Sequence, residues 1–550
     1  MVKIIVLGGG IAGMTVCHEL HKYGYDITLI ERNDILGGLA RTYQNENDKL
    51  CPYEYSWRAY GRWYQNVYDI MKRIPFNDPN DSLSNSVFGN VIELKGGKET
   101  CFKKIPKYDN FADIPTADYI KLLPLITTYF SQCDQNNIDK FATIGIKQFI
   151  KENGISDIGE MHIGKILGPY LGMDYNSASV YDVMYAYEMM SSNESSEYSF
   201  SITKYPTNYA WFDPWEKFLL NKNIIIQKNT EVTKIFTRSD LIDSVETYDK
   251  ITKKYQRIRA DYFISCLSPE SIFKLMYANT YLKSIDLTTK LYNVSKNGRQ
   301  IQLSVYYYLD TKLFLSNNTS LAYLPNTPWL LMVLPTGHIW GNAYLKKYCN
   351  DSIKEIISVG ICQPYNKGLL IKKSWSECTV DEIRQEAWYQ LVNDPDFSQN
   401  VCIGRKNSKK ITDVKILDFK MQPSYKFSDK TKKLDTYEPK WANNINTVQY
   451  RPDAVTEINN FFIAGAYTNT STGLYSMESA VESGKIAAMS LYTLHTGEKS
   501  DIYIHIKQKN QWFAMIRYID QIFYETDITC ICLIFIILLC VLYMIYYDSK

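Results

Sequence analysis

The sequence predicts an α/β protein in which a Rossmann-like nucleotide-binding domain is interleaved with a discontinuous α+β domain and followed by a C-terminal transmembrane helix. Three observations predict it. The chain opens on an apolar run that meets three spaced glycines, Gly8, Gly10 and Gly13; strand-like segments ending in turns return far downstream; and residues 528–547 carry no charged side chain. At 550 residues the chain is too long for one compact core, so interwoven domains are expected.

The opening residues read as a βαβ unit. Residues 4–7 are uninterruptedly apolar, as a central parallel strand covered on both faces requires. Gly8 then permits a tight turn, Gly10 lets backbone approach a pyrophosphate, and Gly13 lets the following helix pack closely on the strand. Ile11, Met14, Cys17 and Leu20 recur at helical spacing, and Gly24 is placed to end the helix in a left-handed conformation. A second strand over 27–30 ends at Glu31, where a carboxylate can accept hydrogen bonds from ribose hydroxyls and disfavours a 2′-phosphate. The pattern predicts a bound dinucleotide and leaves NAD and FAD both open.

Composition narrows the rest. Hydrophobic residues make up 45%, charged residues 22%, and the formal net charge is +2, which is globular and gives no reason to expect nucleic acid as a partner. The 12 cysteines show no paired CxxC spacings, so a reduced, cytosol-facing protein is expected. His18 and His21 read as a packed or solvated pair on the first helix, and no metal site is expected. The start reads as a buried strand and not as a signal peptide. Residues 528–547 are long enough to span a bilayer as a helix, with only Asp548, Ser549 and Lys550 beyond, the arrangement of a tail-anchored protein. Lys507, Lys509 and Arg517 precede the span and suit a cytosolic flank. Trp512, Phe513, Ile516, Ile519 and Phe523 fall near one face of a possible helix, which either rests at the membrane surface or packs on the body.

The stretch ERNDILGGLART, from Glu31 to Thr42, resembles the second glycine motif of the flavin-containing amine oxidase superfamily, which includes carotenoid desaturases and protoporphyrinogen oxidase. The resemblance implies an FAD-binding domain of the glutathione-reductase/amine-oxidase type, with Glu31, Arg32, Gly38, Leu39 and Arg41 along the cofactor. Physically, Gly37 and Gly38 admit close backbone approach and Arg41 can neutralise phosphate. Residues 229–235 (NTEVTKI) resemble the contact with the adenine half, which implies backbone hydrogen bonds from Val232. Residues 260–269 (ADYFISCLSP) look like the returning strand and turn. Residues 461–488 resemble the closing flavin motif, with Gly465 in the turn and a helix beginning near Met477 that points its N-terminus at the flavin. Where the family has Asp after that glycine, this chain has Ala466; Thr468 or Asn469 is the candidate replacement.

Within the superfamily the chain is most similar to the carotenoid-desaturase branch, including proteins similar to hydroxysqualene dehydroxylase. Residues 54–76, 205–219 and 378–391 carry this likeness, and Thr379 with Glu382 makes a helix capping box. The histidine and glycine of that branch's EHG motif are Tyr55 and Ser56 here, so no catalytic part transfers. Arg58 pairs with Glu54 or lines the flavin pocket. The amine oxidases' lysine near flavin N5 has no identifiable counterpart, and the catalytic residues stay unassigned.

The motif order sets the organisation: residues 1–75, 205–290 and 440–500 form the FAD-binding domain, 76–204 and 291–439 the substrate domain, 501–527 a juxtamembrane segment and 528–547 the membrane helix. The first excursion reads as helical, the second as strands. The resemblance implies an FAD-dependent oxidoreductase that takes hydride from a C–H bond of a lipophilic, isoprenoid-like substrate and passes electrons to oxygen or a quinone. An amine oxidase, a nucleotide-sugar mutase and a flavin-binding pseudoenzyme are the alternatives.

Overall fold

The computed structural model describes residues 1–43, 51–56, 58–77, 85–93, 114–191, 200–300, 303–315, 321–403, 410–507, 509 and 511–526. In chain order the elements that matter are β1 (Lys3–Leu7), α1 (Ile11–Leu20), β2 (Asp26–Ile30), α2 (Gln65–Arg73), α3 (Thr116–Ser131), α4 (Asp134–Phe141), α5 (Ile146–Glu152) and α6 (Val180–Ser191). Then come β3 (Ile225–Gln227), β4 (Thr230–Arg238), β5 (Leu241–Asp249), β6 (Lys254–Arg259), β7 (Tyr262–Ser265), β8 (Leu303–Leu309), β9 (Ala322–Leu324), β10 (Leu331–Pro335) and β11 (Glu355–Ile361). The last are α7 (Val380–Asn393), β12 (Ile416–Met421), β13 (Phe461–Ile463), α8 (Met477–Thr496) and α9 (Ala514–Thr526).

Five strands drawn from distant parts of the chain meet in one parallel sheet of order β13-β7-β1-β2-β3. Ile4, Ile5, Val6 and Leu7 of its central strand are fully buried, because helices cover one face and the β6-β5-β4 antiparallel layer with its neighbours covers the other. Gly24 adopts φ +74 and ends the first helical stretch, as its sequence position predicts.

A second sheet, order β9-β10-β11-β8-β12, is antiparallel. In β8 every residue is buried, and alternation divides them: Leu303, Val305, Tyr307 and Leu309 pack with Ile383, Ala387 and Leu391 of α7, while Tyr306 and Tyr308 join the core on the opposite side. The Thr379–Glu382 capping box that starts α7 is formed, with the Glu382 carboxylate accepting from Thr379 N–H at 2.8 Å. The helical reading of the first excursion holds in α3 to α6.

Beyond α8 the chain straps back over the body. Asp501 pairs with Lys22 at 2.6 Å, Asn66 and His505 exchange two hydrogen bonds, and the Tyr503 carbonyl accepts from Lys485. Residue 509 onward then reaches α3, α4 and α6. Among the described residues no helix is long and apolar enough to cross a membrane; the expected span at 528–547 lies outside them. Likewise, among the described residues no group of three or more His, Cys, Asp and Glu gathers as a metal site.

One expectation is corrected. Cys51 and Cys349 are joined by a disulfide, 298 residues apart in sequence, so the cysteines are not all reduced. Spacing could not show this, because the pairing is made only when β8 and the helix ending near Tyr348 bring the two segments together.

Candidate cofactor site

The glycine turn between β1 and α1 is shaped by contacts that a side chain would destroy. A Cβ on Gly13 would stand 2.0 Å from the Gly8 carbonyl oxygen. Gly10 and Gly38 face each other: a Cβ built on Gly38 would lie 3.0 Å from Gly10 Cα, and one on Gly10 would lie 3.7 Å from Gly38 Cα. The Gly37 N–H donates to the Gly9 carbonyl at 2.9 Å and locks the two glycine loops together. Gly10 caps α1 without a side-chain acceptor, so the first N–H groups of that helix have no capping side chain.

Glu31, at the end of β2, is buried and its carboxylate is occupied by the protein: Oε2 accepts from Gly9 N–H, and Oε1 accepts from Asn33 N–H and Nδ2, all at 2.8 Å. It therefore fixes the turn as well as standing where a ribose is expected. Arg32 and Arg41 were read as lying along the cofactor. In the structure both are tied to Glu438, Arg32 at 2.7 Å and Arg41 at 2.6 Å, with Gln422 also donating at 2.9 Å. Burial raises the Glu438 carboxyl, but the two guanidiniums outweigh it and hold the group below its ordinary range. Arg41 also donates to the Gly38 carbonyl and stacks over Tyr43. Glu438 was missed because nothing local in ThrTyrGluPro marks it; only the tertiary fold brings it to both arginines.

Val232 sits on β4 opposite Thr247. Leu39 offers its carbonyl to Arg58, which also donates to Ser56; the described bonds of Arg58 do not include Glu54. Glu54 accepts instead from Thr42 Oγ1 and Thr207 N–H. The ion-pair reading of Arg58 and Glu54 is thus corrected: Glu54 is taken up by a backbone and a hydroxyl donor, one of them 153 residues away in sequence.

At the closing motif, Gly465 donates its N–H to Ser483 Oγ at 2.9 Å, and β13 hands the chain to α8. Both candidate replacements for the missing carboxylate have partners within the protein: the Thr468 hydroxyl donates to the Gly465 carbonyl, and the Asn469 amide donates to Asp453. The buried Tyr467 hydroxyl and Ser265 Oγ, both at the C-terminal edge of the parallel sheet, have no hydrogen-bond partner. Ligands of open α/β sheets bind along that edge. The side-chain-free approach of Gly10 to Gly38, the uncapped α1 N-terminus and these two orphaned hydroxyls fit a dinucleotide.

Met477 begins α8, whose N-cap Ser476 borders a cavity of about 60 Å³ lined by Ala59, Trp63, Tyr64, Leu171, Gly172, Met173, Ala442, Asn443, Leu474 and Tyr475. No carboxylate lines it. Two buried ionisable groups flank it. Lys440 donates to the Gly172 carbonyl at 3.2 Å, and burial, with Arg58 nearby, lowers its pKa to about 8. Glu478 in the first turn of α8 accepts from Asn66 N–H, Asn66 Nδ2 and Val67 N–H, capping α2; burial outweighs these donors and pushes it up to about 7.

This geometry is that of a Rossmann-like α/β frame of the nucleotide-binding class, with a second, antiparallel sheet beside it. Residues 6–74 match the NAD(P)-binding Rossmann-like domain family, and residues 426–491 match the flavin containing amine oxidoreductase family. Over these two stretches, at the two ends of the cofactor-binding frame, the chain is similar to flavin-containing amine oxidoreductases, and the pair of matches indicates FAD as the cofactor. The flavin-containing amine oxidase A of Sus scrofa is 40% identical over 47 residues, 8% of this chain and 9% of its own length. A flavin-dependent L-tryptophan oxidase of Lentzea aerocolonigenes is 43% identical over 42 residues, again 8% of this chain and 9% of its own. The chain therefore matches under a tenth of the length of these relatives. Among solved structures, cyclohexylamine oxidase from Brevibacterium oxydans covers 89% of this chain and 98% of its own, with TM-score 0.53 and 16% identity. Putrescine oxidase bound to putrescine covers 90% and 99%, with TM-score 0.56 and 11% identity. At these identities the structural likeness shows the fold.

Proposed function

We propose that the chain is an FAD-dependent oxidoreductase that removes hydride from a C–H bond of an uncharged, lipophilic substrate. The observation that carries this reading is the cavity between the α8 N-terminus and the substrate domain, which Trp63, Tyr64, Leu171, Met173 and Leu474 help to line and no carboxylate enters, although polar and apolar atoms share its surface about equally. Bound FAD supplies the hydride acceptor. The chain's own part is to hold the cofactor between the Gly8–Gly13 turn, the Gly37–Gly38 loop and the Gly465 turn, to present a helix N-terminus at Ser476, and to set the basic Lys440 and Arg58 on one side of the cavity and the Glu478 carboxyl, raised by burial, on the other. Oxygen or a quinone returns the flavin to its oxidised form.

An amine substrate is the second reading, favoured by the names of the matched oxidases. Lys440 and Arg58 would repel an ammonium ion, so an amine would react in its neutral form and more readily at alkaline pH. Anaerobic bleaching of the flavin's visible band separates the readings: isoprenoid-type lipids bleach it and amines do not. Bleaching by amines alone would overturn the lipophilic assignment, and bleaching by neither would overturn the enzyme.

The protein is further proposed to be anchored by residues 528–547 with its body facing the cytosol. Lys507 and Lys509 before the span support that side. The Cys51–Cys349 disulfide pulls toward an oxidising compartment. Protease digestion of sealed vesicles decides: a body digested from outside on cytosol-facing vesicles supports the proposal, and a protected body overturns it.

A further inference from the structure

Helix α9 is amphipathic in reverse. A surface helix ordinarily turns its apolar side to the body and its polar side to water. This one docks through polar groups: Arg517 donates to Glu188 Oε1 at 3.0 Å and to the Phe130 carbonyl at 3.1 Å, Asp520 accepts from Cys133 N–H and Asn136 Nδ2 at 2.7 Å each, and the Tyr524 hydroxyl donates to Asp139 at 3.0 Å. Positions 517, 520 and 524 form one stripe at helical spacing. The opposite stripe carries Met515, Tyr518 and Ile522, which are 76%, 67% and 40% exposed.

α9 begins against the C-terminal end of α3 and runs on along α4, and the outer side of α3 carries further apolar side chains. There Ile120 and Leu123 are 66% and 56% exposed. Leu123 is one turn from Thr127, which with Ile126, Phe130 and Phe513 borders a groove where the turn before α9 meets α3. Apolar side chains so exposed on neighbouring helices are unfavourable in water and mark surface that something covers. The sequence says what. α9 ends at Thr526, and residues 528–547 that follow it hold no charged side chain, a run whose favoured surroundings are hydrocarbon. A helix tethered directly to such a run is kept at the bilayer surface, where Tyr and Met side chains gain most by burial.

We propose that the outer face of α9, with Ile120 and Leu123 of α3, lies in the interfacial layer of the bilayer and holds the body in one fixed orientation on the membrane. This rests on the anchor proposed above and not on the flavin chemistry. The polar docking side makes the orientation rigid, because it bonds α9 to α3, α4 and α6 at once.

The test uses the full-length protein in phosphatidylcholine–phosphatidylserine vesicles, carrying Met515→Cys, Leu123→Cys or, as a solvent control, Ile251→Cys, a position 72% exposed on the hairpin after β5. A membrane-impermeant maleimide is applied, and labelling of the parent protein is subtracted. Positions 515 and 123 should react about tenfold more slowly than 251, at low and high protein-to-lipid ratio alike. Equal rates at all three positions would overturn the inference. Protection that grows with protein density, accompanied by 515–515 crosslinks, would assign the face to a second copy and also overturn it. Parent protein that fails to float with the vesicles overturns the anchor and this inference together; protein that floats yet labels freely at 515 overturns this inference alone.

Discussion

The glycines of the first turn do different work, and substitution should separate them. At Gly13 a methyl group meets the Gly8 carbonyl at 2.0 Å, so Gly13→Ala must distort the turn with or without cofactor. We expect a loss of about 1–3 kcal/mol in unfolding of the apoprotein, measured by denaturant titration. At Gly10 the nearest atom to a methyl group is Gly38 Cα at 3.7 Å, an ordinary contact. Gly10→Ala should leave apoprotein stability within about 0.5 kcal/mol while weakening FAD retention, and the larger Gly10→Val should abolish it. Full FAD stoichiometry in Gly10→Val would refute the assignment. Lys440 gives a pH signature. Burial lowers its pKa in the folded protein to about 8, below the ordinary lysine value of 10.5, so between those values the unfolded chain binds more protons and stability rises with pH. Lys440→Met should flatten that rise, by on the order of 2 kcal/mol across the interval, in thermal melts taken from pH 7.5 to 10. An unchanged slope would show that Lys440 is not the group responsible.

At the scale of elements, the nucleotide-binding frame depends on how closely α8 lies on α1. A Cβ on Gly484 would stand 2.7 Å from the Ala12 carbonyl oxygen and 2.8 Å from Thr15 Cβ, with backbone on one side of the clash. Gly484→Val should separate the helices, lower stability by about 1–3 kcal/mol and loosen the cofactor, because α1 and α8 each aim an N-terminus at the site. Melting temperature and FAD content of the purified variant check both effects. The same region carries charge through the core: Lys485 of α8 is fully buried and bonded to Asp69 of α2 at 2.6 Å, while Arg73 of α2 pairs with Glu19 of α1. An uninterrupted apolar run gave away β1, apolar and aromatic patterning gave away β8 and β10, and the capping box gave away the start of α7. Glu478 capping α2 was not legible, since the cap and its helix are some 400 residues apart and no local spacing records that contact.

For the whole molecule, the tail and the surface helix make separable contributions to membrane attachment. Full-length protein should resist extraction by alkaline carbonate. Truncation after Glu525 should turn it into a protein released by carbonate yet still yellow, because both five-stranded sheets and both glycine loops lie before that point. Carbonate-resistant truncated protein would place the anchor elsewhere. The Cys51–Cys349 bond closes most of the chain into one loop and ties the segment before β8's partner loop to the end of the helix near Tyr348, across the two domains.

By itself the sequence determined the parallel-sheet frame, its three glycine turns and the dinucleotide they serve, because each rests on neighbours in the chain: an apolar run, a glycine, a helix period. Only the tertiary structure decided where the charges went. It set Arg32 and Arg41 against Glu438, turned Glu54 away from Arg58, spent Thr468 and Asn469 inside the closing turn and left the Tyr467 hydroxyl without a partner. It also turned α9 polar side inward, which its apolar periodicity alone could not orient. The physical reason is one of range. Periodicity and turn chemistry act within a few residues, whereas a buried charge is satisfied by whichever opposite group or donor the fold carries to it, and here most of those partners lie more than a hundred residues away.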